Sequence, residues 1–249
     1  MLKQILLITD GCSNAGLSPV VAAAHAASAG VTVNVIGVVE KGEIGRSGAA
    51  EAEAIAQAGG GMCRIVQPRE LAQTVQMMTR KTVAQTIQRV VEKELQKTFA
   101  VDAVERLSPV KRAHVVKVMD DLGETVSIRV CLLIDASASM KSKRSSVEEA
   151  VHDLALSLEA RAGRSEISVL TFPHADQYVD IAVPWTMRSQ EIREIFGRLE
   201  MSGVTPTGPA MMAALQYITE NVIEPLRDER PDAAREAGTG MGLLQDYVV

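Results

Sequence analysis

The sequence predicts an α/β protein built on a doubly wound, mainly parallel central sheet. Three observations point there. Aliphatic and small residues dominate its 249 positions, with only three Phe, three Tyr and one Trp, a composition suited to Val/Ile/Leu strands and Ala-rich helices. Short apolar runs alternate with helical patterns along most of the chain, which implies crossover helices covering both faces of a parallel sheet. Neither half of the chain holds enough strands to cover a sheet alone, whereas together they give about six strands and six helices.

The elements follow in order. Gln4 to Thr9 is an apolar strand ended by the turn residues Asp-Gly-Cys-Ser-Asn. Ser18 is placed as N-cap and Pro19 as first residue of an Ala/Val helix reaching about Ala29, with Gly30 closing it. Val31 to Val39 is the next strand. A helix near Ala49 to Ala58 stops at Gly59-Gly60-Gly61, and Cys63 to Val66 is a short third strand. From Glu70 to about Lys97, Leu71, Val75, Met78, Val83, Ile87, Val90 and Val91 recur at helical spacing. A connector with a short helix, Pro109 to Leu122 closed by Gly123, separates this block from a second one. There Val126 to Ile134 is a strand, and Val147, Val151, Leu154 and Leu158 mark a helix face. Glu166 to Phe172 and Tyr178 to Val183 are strands, expected to be parallel, and helices cover Ser189 to Leu199 and Gly208 to Pro225. The expected division is residues 1–98, connector 99–126, residues 127–227 completing one domain with 1–98, and a flexible tail at 228–249.

The net charge of −5 gives no electrostatic reason to expect nucleic acid or an anionic membrane as partner. No stretch approaches the roughly 20 apolar residues that span a bilayer, and the first residues lack a signal-peptide h-region. Cys12, Cys63 and Cys131 are an odd, widely spaced set, read as reduced thiols rather than a disulfide framework. These features lead us to expect a cytoplasmic protein.

Three strand-end loops carry the oxygens of interest. Asp135-Ala136-Ser137-Ala138-Ser139 follows the buried strand, and continued extended backbone would put Asp135, Ser137 and Ser139 on one face. Asp10 lies at the carboxyl end of the first strand, where open α/β sheets bind ligands. The third loop is Ser202 to Gly208, just before a helix. A D-x-S-x-S segment, a G-x-T-P-T-G loop and an I-T-D-G turn together resemble the metal-ion-dependent adhesion site of von Willebrand factor A domains. The following G-V-T-V-N-V-I-G-V resembles that family's next strand. The likeness covers most of the chain except connector and tail. The order departs from the family pattern, because the I-T-D-G half comes first. A circular permutation accounts for this, and so does a reciprocal exchange of halves between two chains; the expected species is a monomer or an exchanged homodimer.

The resemblance implies Ser137, Ser139 and Thr205 as direct ligands of Mg2+ or Mn2+, with Asp135 and Asp10 acting largely through water. An all-oxygen donor set favours such a hard cation over zinc. An acidic side chain of a partner protein would complete the octahedron, and Thr205, on a loop, would enter or leave it as the domain changes state. Taken singly, Asp10 reads as a turn cap and Ser137 and Ser139 as turn or N-cap residues. Thr207 reads as a helix cap, and Lys141, Lys143 and Arg144 as a solvated loop.

Enzyme signatures are missing. Ser18 stands where a C-x5-R phosphate loop needs arginine, Ser137 where a D-x-D pattern needs its second Asp, and no Walker or G-x-S-x-G segment occurs. The glycines at 42, 45 and 48 lack dinucleotide spacing, and His25, His114, His152 and His174 are scattered. The leading expectation is therefore a metal-dependent protein-binding module without enzymatic activity. A scaffold with a silent metal site, binding through connector or tail, is the alternative, and a metal-assisted hydrolase comes third. The resemblance extends more loosely to bacterial intracellular A-domain proteins, some tied to ATPase or kinase systems.

Overall fold

The computed structural model describes residues 1–11, 13, 15–39, 46–99, 104, 107–174, 178–192 and 205–221. Its centre is a six-stranded sheet in the order β3-β2-β1-β4-β5-β6. The strands are β1 (Leu2–Thr9), β2 (Val31–Val38), β3 (Gly60–Val66), β4 (Ile128–Asp135), β5 (Ser165–Phe172) and β6 (Asp180–Thr186). β1 pairs in parallel with both β2 and β4, so strands from the two halves of the chain meet at the middle of one sheet.

Alternation along the central strands explains the layers. Ile5 and Leu7 point to one face, beneath α1 (Pro19–Ser28), α2 (Arg46–Ala58) and α6 (Thr207–Glu220). Leu6 and Ile8 point to the other, beneath α3 (Leu71–Phe99) and α5 (Arg144–Glu159), and α4 (Pro109–Thr125) packs outside α3. Both faces are covered, so β1, β2 and β4 read as continuous apolar runs rather than alternating ones. The expected doubly wound α/β architecture is what the chain adopts.

Several expectations need correction. β6 runs antiparallel to β5, because residues 173–179 are too few for the crossover that a parallel neighbour requires. It spans Asp180–Thr186 rather than Tyr178 to Val183. The three glycines do not merely stop α2: Gly60, at φ +65, begins β3, and a Cβ on Gly61 would lie 2.1 Å from the Val33 carbonyl oxygen. The glycines thus permit the close approach of β3 to the irregular register at Val33/Val35. Gly123 does not end α4, which continues to Thr125; the Gly123 carbonyl accepts a hydrogen bond from Arg161 at 2.6 Å. Of the helix expected at Ser189 to Leu199, only a 3-10 turn at Ser189–Ile192 falls among the described residues. The expected helix residues 222–225 and the tail at 228–249 lie outside them.

α6 ends at Asn221 in the left-handed conformation. The Asn221 side-chain oxygen accepts a hydrogen bond from Arg129 at 3.2 Å, and Arg129 stands in register with Lys3 of β1. The last described helix therefore finishes beside the beginning of β1.

Candidate functional site

The strand order reverses between β1 and β4. From this point the chain leaves β1 for α1 on one face and β4 for α5 on the other, which opens a crevice at the carboxyl ends of the two strands. Asp10 follows β1 and Asp135 ends β4, so both expected carboxylates stand at this switch point.

Asp135 is fully buried. Its Oδ2 accepts from the Thr9 hydroxyl at 2.7 Å and its Oδ1 from the Ser137 N–H at 2.8 Å. Burial pushes its carboxyl above the usual carboxylate range, and those hydrogen bonds pull the other way. Ser139 reaches the cluster differently from the expected strand alternation. Extended backbone stops at Ser137, and a 3-10 turn over Ala138–Lys143 carries Ser139 back, with its hydroxyl 3.1 Å from that of Ser137. The Ser139 hydroxyl donates to Asp10 Oδ1 at 2.8 Å, which joins the two halves of the chain side chain to side chain.

Thr205 is buried immediately before α6. Its carbonyl accepts from the Ser13 hydroxyl at 3.4 Å, so the third loop meets the one that follows Asp10. The same two loops touch again at Gly208, where a Cβ would fall 1.8 Å from the Leu17 carbonyl oxygen. Thr207 is the first residue of α6 rather than its cap, and Pro206 holds the N-cap position without a side-chain bond. Cys12, Gly203 and Val204 lie outside the described residues. Cys63 and Cys131 are unpaired by disulfide; burial raises both thiols, and the fully buried Cys131 is a packing group.

Two contributors escaped the sequence reading. Thr9 was legible only as the end of a strand; its role appears once β1 and β4 are neighbours. Lys143, expected on a solvated loop, is buried, and its ammonium lies 2.6 Å from Asp10 Oδ2 and 3.0 Å from the Ser139 carbonyl. The 3-10 turn reverses the chain and points this lysine inward.

Among the described residues there is no cluster of three or more carboxylates, imidazoles or thiols. The donor set is instead two carboxylates with hydroxyls. Metal–oxygen bonds of 2.0–2.1 Å in an octahedron separate neighbouring ligands by about 2.9 Å, close to the 3.1 Å between the Ser137 and Ser139 oxygens. The Ser137–Ser139 spacing fits adjacent ligands of a small hard cation.

Carboxylates and hydroxyls gathered at the switch point of a six-stranded, doubly wound sheet define the class: an α/β protein with a strand-end oxygen site. No protein-family profile matches the sequence. Protein YabS of Bacillus subtilis (strain 168), described as uncharacterized, is 46% identical over 218 residues, covering 87% of this chain and 89% of that protein. The chain belongs to the YabS family. A crystal structure of an uncharacterized protein from Alicyclobacillus acidocaldarius subsp. acidocaldarius DSM 446 is 42% identical and superposes with a TM-score of 0.81, covering 88% of this chain and 94% of that one. Proximal thread matrix protein 1 of the mussel byssus aligns at 17% identity with a TM-score of 0.31, over 89% of this chain and 48% of that one, too weakly to bear on fold or site. Among the described residues no helix is long and apolar enough to cross a membrane.

Proposed function

We propose that this protein is a metal-dependent protein-binding module of the von Willebrand factor A type, with its two halves in exchanged order. Ser137, Ser139 and Thr205 would hold Mg2+ or Mn2+ directly, with Asp10 and Asp135 orienting its water. The observation that carries the reading is the hydrogen bond from Ser139 of the second half to Asp10 of the first, in the same cluster as Ser137 and Asp135. Two segments more than a hundred residues apart supply complementary donors at the sheet's switch point. The bound ion would supply a Lewis-acidic position to an anionic ligand. With few direct carboxylates it stays electrophilic, so a Glu or Asp side chain of a partner protein is the chemistry it suits. Binding rather than turnover is the role assigned, in the cytoplasm.

The test is thermal. A ligand that binds only the folded state at a hundred times its Kd stabilises by about 2.7 kcal/mol. Millimolar Mg2+ or Mn2+ is expected to raise the Tm of the protein, and D10A and D135A are each expected to abolish the rise. No shift in the native chain would remove the reading.

A second reading is favoured by α4, which exposes Val110, Val116, Val118 and Leu122. Partners would then dock on this helix whatever the state of the metal site. Capture that survives chelator and is lost in V110E/V118E would select it.

A further inference from the structure

We propose that Lys143 is a resident cation of the site, placed to oppose the divalent ion and so set its affinity. This deepens the metal-binding reading and rests on the same cluster.

Lys143 ends the 3-10 turn over Ala138–Lys143 and stands at the N-cap of α5, a position that favours Ser, Thr, Asp or Asn. Its side chain is 9% exposed and that of Asp10 5%, so both charges have been taken out of water. What compensates is the pairing, at 2.6 Å, with Asp10 Oδ2, together with the bond to the Ser139 carbonyl. Asp10 therefore divides its oxygens: Oδ1 takes the Ser139 hydroxyl and Oδ2 takes the ammonium. Each of these groups touches the donor set already described.

The charges decide the consequence. Asp10, Asp135 and Lys143 together leave one net negative charge in the crevice rather than two. The Lys143 ammonium, already bonded to one of the carboxylates, would weaken the field that a divalent ion meets there and would leave the loaded site with one net positive charge instead of none. Lys143 thus trades affinity for metal against attraction for an anionic ligand, and does so at a range well inside the Debye length. An occupant that only braced the 138–143 turn would have the opposite signature, because its loss would loosen the ligands and weaken the metal.

The sign of one measurement separates the two roles. Mn2+ binding is titrated by calorimetry on the full chain and on K143M, which keeps length without charge, with K143R as the charge-preserving control. K143M is expected to bind Mn2+ at least tenfold more tightly than the native chain, and K143R with native affinity. Without metal, K143M is expected to melt lower, since it leaves the Asp10 carboxylate without its cation, and to gain more in Tm on adding Mn2+ than the native chain does. K143Q, which can still hydrogen-bond Asp10, serves if K143M does not fold. Should the native chain bind no Mn2+ while a neutral variant does, the metal-dependent function falls and the role of Lys143 stands. Equal or weaker affinity in the neutral variants, or no binding by any chain, overturns the inference.

Discussion

Asp135 shows at a single residue what burying a carboxylate does to the fold that carries it. Its carboxylate is fully buried, and desolvation raises its pKa although Thr9 and the Ser137 N–H both donate to it. A folded-state pKa above the unfolded one contributes stability below the unfolded value, and that contribution is lost as pH rises through the folded value. At neutral pH the charge therefore costs the metal-free protein stability. D135N can keep the Ser137 bond through its amide oxygen and donate its NH2 to the Thr9 hydroxyl. We expect D135N to melt above the native chain at pH 7 without metal, with the gap closing as pH falls toward 4. A lower Tm for D135N throughout that range would contradict the account. The identities of Asp10, Asp135, Ser137 and Ser139 were legible because their motif spacing is local. The part of Thr9 was not, because a hydroxyl at a strand end has no periodic signature until the partner strand is known.

At the scale of elements, one edge of the sheet is tied by an ion-pair and aromatic stack. Arg129 of β4 faces Glu166 of β5 in register and bonds it at 2.6 Å, and Arg164 is the second cation on that carboxylate. The Arg129 guanidinium lies 4.6 Å over the ring of Trp185 on β6, and Trp185 stacks on Tyr217 of α6 at 5.4 Å. Three strands and a helix are thereby fastened near the end opposite the Asp10–Asp135 cluster. Burial tends to raise the Glu166 carboxyl, but hydrogen bonds from Arg164 and Arg129 outweigh it and hold the group below its usual range. A depressed folded pKa means stability that is present above the unfolded value and lost as pH falls through the folded one. E166Q is expected to cost about 2 kcal/mol at pH 7, since it leaves the mostly buried Arg129 without its anion. The difference from the native chain should shrink below about pH 4 in urea denaturation; a gap independent of pH would assign the effect to packing. Strand and helix positions came readily from apolar periodicity. The direction of β6 did not, because alternation is the same in either direction and only the length of the preceding loop decides it.

For the whole molecule the question is what makes two halves one body. β1 and β4 zip along their full length, and Gly208 lets the start of α6 seat directly on Leu17 and Pro19 of the first half. A methyl at Gly208 would meet backbone atoms on both of those residues, at 1.8 Å from the Leu17 oxygen and 3.1 Å from the Pro19 nitrogen, with no flexible side chain to yield. G208A is expected to cost about 3 kcal/mol, the range of severe overpacking, and to blunt any metal-induced rise in Tm because Thr205 sits three residues before it. A native-like denaturation midpoint in G208A would show that the halves are not seated there.

The sequence by itself determined the doubly wound class, the covered sheet and most of the residues at the switch point. Each is set by short-range regularities: period-2 and period-3.6 burial, and side chains spaced two apart after a strand. Tertiary structure alone decided that Thr9 supports Asp135 and that Lys143 lies inside the cluster rather than in water. Those outcomes depend on which strands become neighbours and on where a 3-10 turn redirects the chain, and contacts between residues more than a hundred positions apart leave no mark on local pattern.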